Sequence, residues 1–214
     1  MSLPAKEEDV YQEYYLDHQR RKKRLLGGIS TSCRAGRSLE EVLVERRSQR
    51  IFTYKRVDPE VVDFLLESAV HAPSNCNRQA VWLQPLSGRD DIWTLNTVLV
   101  GGRDWIGSAP NVILLWVDMQ AYKSQAEKSF MPWIDVGVMV QTLLLTAEDM
   151  NLGACYVNPN MKDAYVEAFN NLFLLKDSFL FGGAIALGYY DLKAETPPKR
   201  ASAVYLGKRN DNRC

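Results

Sequence analysis

Six consecutive apolar residues, Val112-Ile113-Leu114-Leu115-Trp116-Val117, constrain this chain more than any other stretch. A run this short, apolar throughout and without polar alternation predicts a central strand covered on both faces. Segments Ala80 to Leu86, Ala154 to Val157 and Phe179 to Leu187 read as companion strands. Covering such a sheet takes helices, and three are legible. Ser38-Leu39-Glu40-Glu41 matches a capping box, Asp58-Pro59-Glu60 a second helix start running to about Val70, and Asn160 a cap for a helix to about Asn170. A longer helix is predicted from Asp135 to Met150, apolar almost all round, with Gly137 permitting close backbone approach. Such a helix needs neighbours on every side.

The flanks differ from this centre. Residues 1 to about 26 read as a polar, charge-rich helix whose Val10, Tyr14, Leu16 and Leu25 are too sparse for a buried stripe. Its basic run Arg20 to Arg24, opposite the acidic Glu7-Glu8-Asp9, reads as a solvated helix end. Tyr11, Tyr14 and Tyr15 could cover apolar surface with their hydroxyls wet, which predicts packing across a dimer or near a pocket mouth. Gly27 through Gly36 form a small-residue linker, and Val204-Tyr205-Leu206 an edge strand near the end. The predicted organisation is an extension and linker over 1–37, one domain over 38–208 and a tail over 209–214.

Charge excludes some partners. The 26 basic and 26 acidic residues balance, so no global field draws the chain to nucleic acid or a membrane. No stretch approaches the ~20 apolar residues a membrane helix needs, and no secretory leader is legible. Cys33, Cys76, Cys155 and Cys214 lack metal-ligand spacing, and His18 and His71 lie far apart, so no metal site is expected. A reduced cytoplasm fits best.

The functional signal lies in two clusters. Arg46-Arg47-Ser48-Gln49-Arg50 gathers three guanidinium groups and a hydroxyl, suited to a phosphate, because arginine forks offer planar paired donors. Ala72-Pro73-Ser74-Asn75-Cys76-Asn77-Arg78-Gln79 is a turn crowded with amides. With Pro132 to Gly137, Asn151 to Pro159 and Gly183 to Tyr189, in this order, the chain over roughly residues 38 to 208 resembles the nitroreductase family of flavin mononucleotide (FMN) enzymes.

The resemblance implies an α+β nitroreductase-like fold: a central mixed β-sheet flanked by helices, in an intertwined homodimer with two FMN sites at the interface. It places Arg46 and Ser48, joined by Lys199 and Arg200, on the phosphate. Arg50 falls beside the ring edge that gains negative charge on reduction, where a cation favours the reduced form. Arg47 is implied only through backbone contacts or a surface salt bridge. Pro73, Ser74 and Asn75 would lie against one ring face, and Asn77 or Gln79 would pair with the amide-like edge. Tyr156, Val157 and Asn158 stand at the strand end whose backbone amide faces the reactive ring nitrogen, so no catalytic side chain is implied. In the loop Gly101 to Trp105 the chain departs from members that place an asparagine and a lysine against the ring. It also has Ala80 where a proline is usual.

The reaction implied is ping-pong hydride transfer from NAD(P)H to a small oxidised acceptor such as a nitroaromatic or quinone. Absence of a Gly-x-Gly-x-x-Gly motif argues against a Rossmann dehydrogenase. The alternatives are a flavin oxidase or specialised reductase on the same fold, and a non-catalytic flavin-binding protein.

Overall fold

The structure, a computed structural model, describes residues 36–198. The expectations for the extension, for Lys199 and Arg200, and for the edge strand at 204–206 lie outside the described residues.

Four strands form one sheet in the order β1-β2-β4-β3: β1 Val81–Leu86, β2 Asn111–Asp118, β3 Gly153–Val157 and β4 Phe179–Gly188. All neighbours among them pair antiparallel. The parallel component of the sheet, among the described residues, is one bridge between Ser48 and Ala154 on the outer edge of β3.

Strand β2 is buried from Asn111 to Val117, as its sequence requires. Its alternate side chains build two cores. Ile113, Leu115 and Val117 face a layer made by α2 (Pro59–Ala69) and the long α4 (Gln125–Asp149). Val112, Leu114 and Trp116 face a second layer with α3 (Arg89–Val98) and α5 (Asp163–Phe173). There Trp116 meets Phe169 and Phe181 at ring separations of 5.8 and 5.3 Å. Each fully buried side chain of this size stabilises by about 1.5–3 kcal/mol.

The β2–β4 ladder slips between Leu115 and Trp116: Leu115 pairs with Gly183 and Trp116 with Phe181, leaving Gly182 as the extra residue of a bulge. Without that slip, Phe179 and Phe181 would point into the opposite core from the one they fill. Gly183 has φ +118, and a Cβ there would lie 2.6 Å from both the Tyr156 ring and the Val157 carbonyl. Only glycine fits. The Gly182 carbonyl released by the bulge accepts the Tyr156 hydroxyl at 2.7 Å.

Several boundaries depart from the sequence reading. Helix α4 starts ten residues earlier than Asp135, at a capping box of Ser124 and Glu127, and carries Pro132 in its interior. By length and composition it could cross a membrane, contrary to the expectation that no stretch approaches that size. It instead packs on α1 (Leu39–Glu45), α2 and the sheet. The helix after β3 begins at Asp163 with Lys162, not Asn160, at its cap. Helix α3 has no counterpart in the sequence reading. The Ser38 capping box and the Asp58 cap are present as expected.

Candidate functional site

The first cluster is a strap laid along β3. The Gln49 amide donates to the Ala154 carbonyl at 3.1 Å, so side chains alternate as on a strand. Gln49 turns inward and is 3% exposed, while Ser48 and Arg50 turn outward. The buried amide of Gln49 donates to the carbonyls of Ile51 at 2.8 Å and Leu192 at 3.1 Å, and its oxygen accepts from the Ala194 N–H at 2.9 Å. It therefore ties the carboxy-terminal segment to the strap. Glu148, buried at the end of α4, pairs with Lys193 at 2.6 Å and with Arg37, clamping the same segment from the other side.

Between strap and segment lies a cleft of about 710 Å³, walled by Arg46, Arg47, Ser48, Arg50 and residues 194–197. Arg47 donates to the carbonyls of Val44 and Arg46, so its guanidinium caps the end of α1. No described carboxylate lies within ion-pair distance of Arg46 or Arg50, although Glu195 shares the cleft wall. A cleft whose arginines have no carboxylate partner among the described residues is suited to an anion. Arg50 also lies 5.7 Å from the Trp105 ring, whose indole N–H holds the Gly101 carbonyl at 2.9 Å. The departing loop thus meets the arginine cluster through Trp105.

Next to the strap, burial pushes the Cys155 thiol up, against the opposing pull of Arg50, Ser48 and Arg46, so it stays protonated and poorly nucleophilic. Burial also raises the Tyr156 phenol. With its hydroxyl on Gly182, Tyr156 offers the cleft no free acid or base. At the strand end Val157 packs beside Gly101 and Gly102, and the Asn158 side chain accepts from the Asn160 N–H at 3.1 Å.

The second cluster is a turn between α2 and β1. Cys76, Asn77 and Gln79 all have positive φ, 53°, 54° and 51°. Left-handed backbone at non-glycine residues costs about 1–2 kcal/mol each, somewhat less at asparagine. Three contacts hold the turn: the Gln79 N–H on the Ser74 hydroxyl at 2.9 Å, and both the backbone and side-chain N–H of Asn75 on Asp135 Oδ1, each at 2.8 Å. The Gln79 side chain donates to Asn77 Oδ1 at 3.3 Å. Pro73, Ser74, Gln79, Trp82, Asp135 and Met139 line a pocket of about 290 Å³.

One chain does not bring the two clusters together. The turn leads into Val81, opposite Val117 at the end of β2, whereas Ser48 bridges Ala154, which pairs through Leu187 with Asn111 at the start of β2. The strap and β1 occupy opposite edges. Strand rise and strand spacing put the clusters roughly 20 Å apart along the strands and about as far across them, beyond the phosphate-to-ring span of one mononucleotide. They occupy opposite corners of the sheet.

Among the described residues, an apolar stripe on α4 and α1 stands exposed. Phe130, Trp133 and Ile134 of α4 are 50, 44 and 49% exposed, Leu43 and Val44 of α1 likewise stand out, and a Cβ on Gly137 would meet nothing within 4 Å. An exposed apolar stripe on a core helix of this length is the kind of surface that marks an interaction site.

Sequence reading missed three of the residues that shape these clusters. Gln49 lies inside the arginine run, although strand alternation points it inward; Asp135 reads as a helix position; and Trp105 as part of a divergent loop.

Residues 43–94 and 94–189 match the sequence model of the Nitroreductase family. An NADPH-flavin oxidoreductase of Vibrio harveyi is 25% identical over 174 residues, covering 78% of this chain and 71% of that protein. An FMN reductase [NAD(P)H] of Bacillus subtilis is 26% identical over 125 residues, 52% of this chain and 50% of that protein. Among solved structures, a nitroreductase family protein of Streptococcus pneumoniae superposes with a TM-score of 0.71 at 21% identity, covering 80% of this chain and all of that one.

Proposed function

The chain belongs to the nitroreductase family, and from that premise we propose that it is an FMN-dependent oxidoreductase acting as a homodimer. The domain over 38–208 would hold the flavin, with 1–37 as an extension and 209–214 as a tail, in a reduced cytoplasm.

The observation that carries this reading is the cleft lined by Arg46, Ser48 and Arg50, whose two guanidinium groups have no carboxylate within ion-pair distance among the described residues. The residues fit FMN. Arg46 and Ser48 would hold its phosphate, with Lys199 and Arg200 continuing from the segment that Gln49 and Glu148 pin in place. Arg50 would stand near the ring with its guanidinium against Trp105. Pro73, Ser74, Asn75, Asn77 and Gln79 of the partner subunit would close over the ring, since the turn of the same chain is at the wrong corner. The backbone at Tyr156, Val157 and Asn158 would supply the amide facing the reactive nitrogen; Arg47 would serve through its backbone.

Bound there, FMN would supply a hydride acceptor and donor in turn, taking hydride from NAD(P)H and passing it to a small oxidised acceptor such as a nitroaromatic or quinone. No acid or base on the chain is needed at the reactive position, which agrees with Tyr156 and Cys155 both being held protonated. The chain contributes binding, a cation near the developing charge, and exclusion of water by the dimer.

The test is anaerobic. Purified protein incubated with FMN is expected to become yellow, to bleach on adding NADH or NADPH, and to regain colour with a quinone. A folded protein that takes up no FMN contradicts the proposal. Yellow protein that neither cofactor bleaches supports the non-catalytic flavin-binding alternative instead.

A further inference from the structure

Asp135 is a charged residue that the flavin reading leaves unused. It is 2% exposed, on α4, and each of its oxygens has a partner: Oδ1 accepts from the Asn75 backbone N–H and the Asn75 side-chain N–H, both at 2.8 Å, and Oδ2 accepts from the Tyr122 hydroxyl at 2.7 Å. Tyr122 is itself buried, with Arg78 stacked at 5.6 Å from its ring, and Arg78 is held by Glu127 at 3.0 Å. This web joins the turn to α4 at the point where the backbone is most strained.

An ionised carboxylate has no hydrogen to donate. Whatever faces Asp135 must therefore be a donor, and that settles which end of the Asn75 amide points at it. The NH₂ group faces inward, so the carbonyl oxygen faces away, and no described residue donates to that oxygen. An asparagine in a flexible turn could offer either end to a ligand. Here it can offer one.

We propose that Asp135 is the positioning residue of this turn, fixing the Asn75 amide so that its carbonyl oxygen is presented as the acceptor for a ring N–H. The inference rests on the flavin reading, whose ring carries one imide N–H between two carbonyls. An acceptor held in this orientation selects a ring edge with a hydrogen to give, which moves Asn75 from the ring face, where the family resemblance puts it, to the ring edge. Its neighbours Asn77 and Gln79 are bonded to each other at 3.3 Å.

The experiment compares FMN with FMN methylated on the imide nitrogen, in wild type, Asp135→Asn and Tyr122→Phe. Asp135→Asn keeps the shape and leaves no unpaired buried charge, but its own NH₂ can now face Asn75 and let that amide turn over. Tyr122→Phe removes only the Oδ2 partner and reports general loosening. Wild type is expected to prefer FMN over the methylated form by about tenfold, the worth of one buried hydrogen bond. In Asp135→Asn the preference should fall below about threefold, whereas Tyr122→Phe should keep it even if it melts earlier. An unchanged preference in Asp135→Asn, or no preference in wild type, overturns the role of Asp135 and leaves the flavin reading standing. A wild type that binds neither form overturns both.

Discussion

Replacing Arg46 and Arg50 together by alanine is expected to weaken FMN binding at least ~100-fold while leaving the fold intact. The expectation follows from two charge-assisted contacts at about 1.5–3 kcal/mol each. Both side chains face the cleft, and among the described residues neither has a carboxylate partner to strand when it is removed. Quenching of FMN fluorescence measures the change. Arg47→Ala, whose guanidinium bonds the end of α1, should stay within about threefold of wild type and show its effect in melting temperature. Lysine at 46 and 50 should recover part of the affinity, because the charge returns without the fork. Affinity unchanged in the double alanine variant would remove the cleft from the account.

The second large effect concerns the exposed face of α4. Ile134→Asp with Gly137→Arg is expected to give a folded monomer that takes up no FMN. In a single chain Ile134 is half exposed and Gly137 looks onto open space, so neither change disturbs packing, and arginine is the better helix former by about 1 kcal/mol. At an apolar interface the same changes bury a carboxylate without a partner and block close helix approach, which costs several kcal/mol. Flavin should be lost although Arg46, Ser48 and Arg50 are untouched. Sedimentation velocity and circular dichroism separate monomer formation from unfolding. A variant that stays dimeric and yellow would show that copies meet elsewhere.

Much of the scaffold is legible in the sequence because it follows from short apolar runs and from caps. The six-residue apolar run in β2 is the length of a strand buried on both faces, and Ser38 and Asp58 cap helices where their side chains say they should. Misreadings share a physical cause: a local signal was overruled by one that acts across the chain. The apolar pattern predicts α4 from Asp135, yet the capping box of Ser124 and Glu127 starts the helix ten residues earlier, at Gln125. Asn160 resembled a cap, but the chain first makes an isolated bridge between Met161 and Leu99, which delays the helix. The Gly182-Gly183 pair inside β4 marks a bulge that only the ladder to β2 reveals.

In the sequence the two clusters stand out as local features, an arginine-rich stretch and an amide-rich turn, and in the fold the first walls a cleft and the second is a tight left-handed turn. What sequence could not give is the wiring beneath them. Gln49 and Asp135 act by bonding segments distant along the chain, Leu192 to Ala194 in one case and Asn75 in the other. Nothing local to either residue predicts those partners.

The central claim is that a flavin site is assembled from the strap of one copy and the turn of another. Co-expression of Arg46→Ala/Arg50→Ala with Ser74→Trp, the latter filling the turn-side pocket, tests it with differently tagged chains. Each variant alone should purify colourless, because every site in its homodimer carries the defect. The heterodimer gathers both defects into one site and leaves the other intact, so it should hold about one FMN per pair and bleach with NAD(P)H. A heterodimer as colourless as its parents would contradict a site shared between copies.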